Sequence, residues 1–118
     1  MGKRKPAKYR NKKVHWGGMT FDSIREFERY QELAILEKAD VITDLQCQVK
    51  IGLACGGNPV MSKRKKGHQY YYVVDFKYYD RELKRWRFED VKGYNTRASD
   101  IKIAVVEAET GTEIEIVR

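Results

Sequence analysis

Cysteine, histidine and long apolar runs are all scarce in this 118-residue chain, and each scarcity removes a class of protein. Its two cysteines, Cys47 and Cys55, are too few for a disulfide framework and show neither a CxxC nor a Cys/His zinc spacing. Both read as free thiols of a reducing cytosol, Cys47 as a small buried residue. The two histidines, His15 and His68, stand apart from each other and from the cysteines, which suits surface or loop positions better than metal ligation. No apolar stretch approaches the roughly 18–20 residues that span a bilayer. The start Met1-Gly2-Lys3-Arg4-Lys5 is basic with no apolar segment behind it, which argues against a signal peptide. Pro6 stands where a myristoylation signal needs Ser or Thr. A cytoplasmic protein with no membrane partner is therefore expected.

What the chain does have is positive charge, and it is clustered. The net charge is +7, with 42% hydrophobic and 35% charged residues, a globular balance in a length that suits one domain. Lys3, Arg4, Lys5, Lys8, Arg10, Lys12 and Lys13 crowd residues 1–13 with no carboxylate among them, so this stretch is expected to be a flexible basic arm ahead of a domain over 14–118. A second basic run, Lys63-Arg64-Lys65-Lys66, lies in a Gly/Pro/Lys-rich loop over 56–67. Arms and loops of this kind neutralise phosphates and release counterions, so a nucleic acid is the expected partner. A solubilising tail and a solvated loop are the plainer alternative, and RNA would satisfy the charges as well as DNA.

Periodicity supplies the order of elements. Val14 to Phe21 reads as a short hairpin around Gly17-Gly18. A helix then runs from Asp22 or Ser23 to about Lys38, opened by a capping box, Ser23-x-x-Glu26, with an apolar stripe of Phe27, Tyr30, Leu33, Ala34 and Leu36. Val41 to Leu53 alternates as a half-exposed strand, with Leu45, Cys47, Val49 and Ile51 on one side. Gln69 to Tyr79 and Arg85 to Lys92 follow as an antiparallel pair joined by a polar turn. Thr96 or Ser99 can cap a second helix, with Ile101, Ala104, Val105 and Ala108 as its expected inner face. Thr112 to Val117 closes the chain as a strand, expected parallel to the third because a helix connects them. The order is α-β-β-β-α-β, an α/β class with a mixed sheet.

Two of these strands carry acids where burial makes them costly. Asp75 interrupts Tyr72-Val73-Val74 and Phe76, and Asp90-Val91-Lys92 ends the next strand. Alternation puts Phe88, Asp90 and Lys92 on one face and turns Glu89 away. A divalent cation held by Asp75, Asp90 and the Val91 carbonyl would compensate the carboxylates, with Mg²⁺ the expected ion and Mn²⁺ a substitute. Such an ion polarises a phosphate oxygen and orients a water, while Lys92 can position that water and offset charge on the phosphorus. Glu26 could complete the ligand set from the first helix. Each assignment has a plain rival: Asp75 and Lys92 could form a cross-strand ion pair with Asp90 at the surface, Glu26 could serve only the capping box, and Glu28 or Glu32 could replace it.

Glu26 on a helix, Val74-Asp75 on a strand, then Asp90-Val91-Lys92 before a helix resembles the PD-(D/E)XK nuclease superfamily, whose common core has the order deduced above. Val74 stands at the place of that motif's proline. Phe21-Asp22-Ser23-x-x-Glu26-x-x-x-Tyr30, Asp44-Leu45-x-x-Gln48, Asp75-Phe76-x-Tyr78 and Glu89-Asp90-Val91-Lys92-Gly93 look like motifs of small phage endonucleases of the endonuclease I and Holliday-junction-resolvase type. The resemblance implies a restriction-endonuclease-like domain and a Mg²⁺-dependent endodeoxyribonuclease for branched DNA, in a phage-infected or prophage-bearing bacterial host. It favours Glu26 over Glu28 and Glu32 and implies roles near the DNA for Gln48, Thr96 and Lys102. Symmetric cutting of a four-way junction needs two sites, so a homodimer is expected. The alternatives are a nicking or single-strand-specific nuclease, in which some of Tyr70, Tyr71, Tyr72, Tyr78 and Tyr79 stack on bases, and a non-catalytic DNA-binding protein.

Overall fold

The computed structural model describes residues 12–93 and 95–118. The expected basic positions Lys3, Arg4, Lys5, Lys8 and Arg10 lie outside the described residues. Val14–Trp16 (β1) and Met19–Phe21 (β2) form the expected hairpin, and helix Ile24–Lys38 (α1) follows. Then come Ile42–Gly52 (β3), the short strands Ala54–Cys55 (β4) and Asn58–Pro59 (β5), and the long strands Tyr71–Asp80 (β6) and Arg85–Val91 (β7). Helix Arg97–Thr110 (α2) and strand Ile114–Val117 (β8) complete the chain. The main sheet is mixed and has four strands in the order β3-β6-β7-β8, with β3, β6 and β7 antiparallel and β8 parallel to β7. The α-β-β-β-α-β order and the parallel closing strand are therefore as the periodicity indicates, with two small hairpins added.

Local chemistry explains the boundaries. Ser23 caps α1 through its hydroxyl, which accepts from Glu26 N at 3.1 Å, and Thr96 caps α2 through the Ser99 N–H at 3.0 Å. Gly111, with φ 71°, closes α2 in the left-handed conformation that a glycine adopts without a Cβ clash. In the β6–β7 turn Asp80 accepts from the N–H groups of Glu82 and Leu83 at 3.0 and 2.8 Å.

Each helix covers its own patch of core. Beneath α1 lie Phe21, Leu33, Ile42, Phe76 and Tyr78, and against α2 lie Leu53, Tyr72, Val74 and Ile114 with the helix residues Ile103 and Val106. On β7 the alternation is direct. Glu89 reaches Arg29 on α1, while its neighbour Phe88 packs into the cluster that α2 covers. The strand that carries Asp90 is thus held from both sides.

Two expectations are corrected here. Helix α2 buries Ile103 and Val106, while Ile101 is 56% exposed and Ala104 and Ala108 also face outward. Apolar residues lie both on the stripe of Ile101, Ala104, Val105 and Ala108 and at Ile103 and Val106, so periodicity alone picks the wrong stripe; packing against Val74 and Ile114 decides. The stretch 56–67 is not one open loop either. Gly56-Gly57 is the turn of the β4–β5 hairpin, and Glu109 at the end of α2 accepts from both its N–H groups at 2.9 and 2.8 Å. A second hairpin, closed by the Ser62 N to His68 O bond of 2.8 Å and the Met61↔Gln69 bridge, then presents Lys63, Arg64, Lys65 and Lys66 at its exposed tip.

Candidate active site

Glu26, Asp75, Asp90 and Lys92 come from three different elements and line one cleft of about 390 Å³. Glu26 is 3% exposed and Asp90 3% exposed. Glu28 and Glu32 instead face outward on α1, paired with Arg25 at 3.9 Å and Arg29 at 2.9 Å, so helix geometry leaves Glu26 as the acid that enters the cleft. Its capping role and its place in the site prove compatible. One carboxylate oxygen accepts from Asp22 N at 3.2 Å, and the other accepts from the Gln48 side-chain amide at 2.6 Å.

That same Gln48 nitrogen lies 3.3 Å from Asp75 Oδ1, so it sits between the two acids. The other Asp75 oxygen accepts from Val91 N at 2.7 Å, and Asp75 N lies 3.3 Å from Asp90 Oδ1. Asp90 Oδ2 accepts from the Tyr72 hydroxyl and lies 3.1 Å from Lys92 Nζ. The expected rival pairing of Lys92 with Asp75 is not formed: the lysine lies two residues from Asp90 on the same face of the chain and pairs with that buried acid. Glu89 points away, as alternation requires.

The charges are unequal. Four carboxylates, Asp22, Glu26, Asp75 and Asp90, line the cleft with two lysines, Lys92 and Lys102. Burial first, and then the charges of Asp90 and Glu26, push the Asp75 carboxyl up to about 8. Burial also raises Glu26, with the charges of Asp22 and Asp90 adding to it against the hydrogen bonds from Asp22 N and Gln48. Nearby, burial lifts the Cys47 thiol to about 11, with the charges of Glu26 and Asp75 contributing. Every buried side-chain polar atom among the described residues has a hydrogen-bond partner, so the imbalance is one of charge and not of missing bonds.

Among the described residues no group of three or more His, Cys, Asp and Glu side chains already converges as a metal cage. Glu26 and Asp75 converge instead on the Gln48 nitrogen, with Asp90 beside them. An all-oxygen set of two or three carboxylates suits a hard divalent cation that keeps several waters, and these are the residues that could hold one.

The remaining expected contacts divide. Gln48 and Lys102 line the cleft, with Lys102 half-buried on α2. Thr96 does not line it, and its hydroxyl serves as the α2 cap. Lys12 and Lys13 are exposed, and Lys13 pairs with Asp22 at 3.0 Å. The Lys63–Lys66 tip lies on a separate hairpin outside the cleft lining. Sequence reasoning named Tyr72 only among tyrosines that could stack on bases and gave it no part beside Asp90. It gave Lys50 no role, although the Lys50 ammonium lies 4.3 Å from the ring of Tyr71, which is on the cleft wall. The run Tyr70-Tyr71-Tyr72 was the available signal, since alternation must turn one tyrosine of such a run away from its neighbours.

Gln48 has a conformation as unusual as its position. It lies in β3 with φ 55°, the left-handed region, although it carries a side chain. The ladder with β6 keeps its register on both sides, Cys47↔Phe76 and Val49↔Val74, and omits the pair that would join Gln48 to Asp75. A non-glycine residue held there costs about 1–3 kcal/mol, and such strain collects at functional sites.

A family model described as a protein of unknown function (DUF1064) matches residues 6–113. The chain belongs to that family. No curated protein and no solved structure matches it. No helix among the described residues is long and apolar enough to cross a membrane.

Proposed function

We propose that this protein is a divalent-metal-dependent endodeoxyribonuclease that hydrolyses phosphodiester bonds in branched DNA. The observation that carries the reading is the convergence of Glu26, Asp75 and Asp90 with Lys92 on one open cleft, where two of the acids are held above their ordinary proton affinity. Asp75 and Asp90 would hold the cation, the Val91 carbonyl and waters would fill its shell, and Glu26 would join directly or through water. Mg²⁺, or Mn²⁺ in its place, would supply Lewis acidity toward a phosphate oxygen and charge for the leaving oxygen. Lys92, already tied to Asp90, aims its ammonium into the same space and can orient the attacking water and stabilise the crowded phosphorus. Lys102 on α2 offers a second cation for the phosphate that enters.

The acids of the cleft separate this reading from a pure binding module. Buried acids facing a polyanion repel it unless a cation intervenes. The preference for branched DNA, a phage or prophage setting inside a bacterial cell and a homodimer rest on the resemblance of Glu89-Asp90-Val91-Lys92-Gly93 and its companion motifs to phage resolvase-type endonucleases. One observation favours a second substrate: Tyr71 on the cleft wall, with Lys50 over its ring, is a ready stacking platform for a single-stranded base.

The test is cleavage of a labelled four-way junction, its matching linear duplex and a single strand, with Mg²⁺ or EDTA. Metal-dependent cutting of the junction, lost in Asp75→Ala and Lys92→Ala, is expected. Equal cutting of junction and duplex would keep the nuclease and remove the branched preference. Cutting confined to the single strand would favour the second substrate. Tight binding with no cutting of any substrate would leave a non-catalytic DNA-binding protein.

A further inference from the structure

We propose that Gln48 is the placeholder for the cation: its side-chain amide holds Glu26 and Asp75 together in the metal-free protein and leaves them when a divalent ion binds. This inference rests on the metal-dependent reading above. Three observations meet at this residue. Its nitrogen lies 2.6 Å from Glu26 Oε2 and 3.3 Å from Asp75 Oδ1, between two acids that would share a cation. Both contacts run from the same amide nitrogen to a carboxylate oxygen, so the amide presents its NH2 end to the two acids. Its backbone is left-handed at φ 55° in the interior of β3, and no inserted residue explains this, because the register is the same on either side. The bulge nearer the start of the strand, between Thr43 and Gln46, does shift the register and is a separate feature.

The chemistry of glutamine fits a temporary occupant. A neutral amide donates to carboxylates and fixes their separation without cancelling their charge, so a divalent ion still gains by replacing it. A lysine or arginine at this position would neutralise the acids and keep the cation out. An alanine would leave Glu26 and Asp75 facing each other with no donor between them. Linkage then sets the sign of the effect. A group that stabilises only the metal-free state weakens metal binding by the same factor.

The experiment is calorimetric titration of Mg²⁺ and, separately, Mn²⁺ into the full chain, for wild type, Gln48→Ala, Gln48→Gly and Asp75→Asn, with thermal unfolding of each in EDTA and in saturating Mn²⁺. Gln48→Gly removes the amide while accepting the left-handed backbone, so it separates the side chain's role from strain and from failure to fold. Both Gln48 variants are expected to bind the ion about tenfold more tightly than wild type. The Gln48→Ala deficit in melting temperature is expected in EDTA and should shrink in Mn²⁺. Weaker binding in both variants would make Gln48 a ligand and overturn the proposal. Unchanged binding would make it a bystander and overturn it as well. If wild type binds neither ion at a site that Asp75→Asn removes, the metal-dependent reading itself falls.

Discussion

Behind and in front of β7 the protein treats its acids in opposite ways. On the α1 side stands Glu89, 1% exposed, gripped by Nε and Nη2 of the Arg29 guanidinium, each at 2.7 Å, and by the Tyr78 hydroxyl. Burial would raise this carboxyl, but the hydrogen bonds from Arg29 and Tyr78 outweigh it and hold the group below its ordinary value. In the cleft stand Glu26, Asp75 and Asp90, with Lys92 beside Asp90 and the neutral Gln48 amide between the other two. There burial wins, and Glu26 and Asp75 bind protons more tightly than exposed acids do. An acid whose charge is matched by its neighbours does a structural job. The Arg29–Glu89 pair fastens α1 to β7 one helical turn from Glu26 and one residue from Asp90, and so sets the distance across the site. Acids that lack such a partner bind protons more tightly instead, and on the proposed function a divalent cation would take the protons' place.

Breaking each side of the comparison should have a different signature. The largest effect is expected in catalysis. On the proposed function, Lys92→Ala should lower the turnover of junction cleavage by about 10²–10³-fold while leaving metal binding in place, because Lys92 would face the reacting phosphate. Single-turnover cleavage with saturating Mg²⁺ checks it. Next, Glu89→Ala should destabilise the fold by about 3 kcal/mol, since it leaves the Arg29 guanidinium half-buried beside Tyr78 without its main partner. Urea unfolding measures this, and the loss should be the same with and without metal.

Asp75→Asn should do the reverse. It removes an ill-compensated charge and is expected to raise the stability of the metal-free protein by about 1–2 kcal/mol at pH 8 while abolishing cleavage. The pH dependence separates the two groups further. Asp75, with an ordinary value of 3.8 raised to about 8, makes the folded protein hold more protons than the unfolded chain between those values. Metal-free stability should therefore be highest at the acid end of that window and fall as pH rises through it. Glu89 runs the other way: its value is lowered from 4.5, so its contribution is present above that pH and is lost on further acidification. Unfolding in EDTA from pH 4 to 8 should show the slope of Asp75 in wild type and a flatter line in Asp75→Asn. The smallest effect is expected at the exposed Lys13–Asp22 pair, where Lys13→Ala should change stability by less than about 1 kcal/mol.

Much of this was legible in the sequence where the signal is local. Ser23 and Glu26 announce the start of α1, the alternation of β3 and β7 separates Asp90 from Glu89, and a helix before Ile114 implies the parallel pairing with β7. What stayed hidden depends on contacts between distant residues. Arg29 and Glu89 are 60 residues apart, and nothing in either segment names the other. The phase of α2 could not be read from a helix whose apolar residues fall on more than one face. The left-handed turn at Gln48 is invisible because glutamine does not ask for it. Tyr72 hid among tyrosines suited to any buried strand, and only the fold shows its hydroxyl at Asp90.

The most direct test of the charge imbalance is thermal unfolding at pH 8 with EDTA or excess Mn²⁺, for wild type beside Asp75→Asn. Wild type is expected to gain several degrees from the ion, and Asp75→Asn to melt higher in EDTA and gain little or nothing. An equal gain in both proteins, or none in wild type, would contradict the claim that these acids are built to receive a cation.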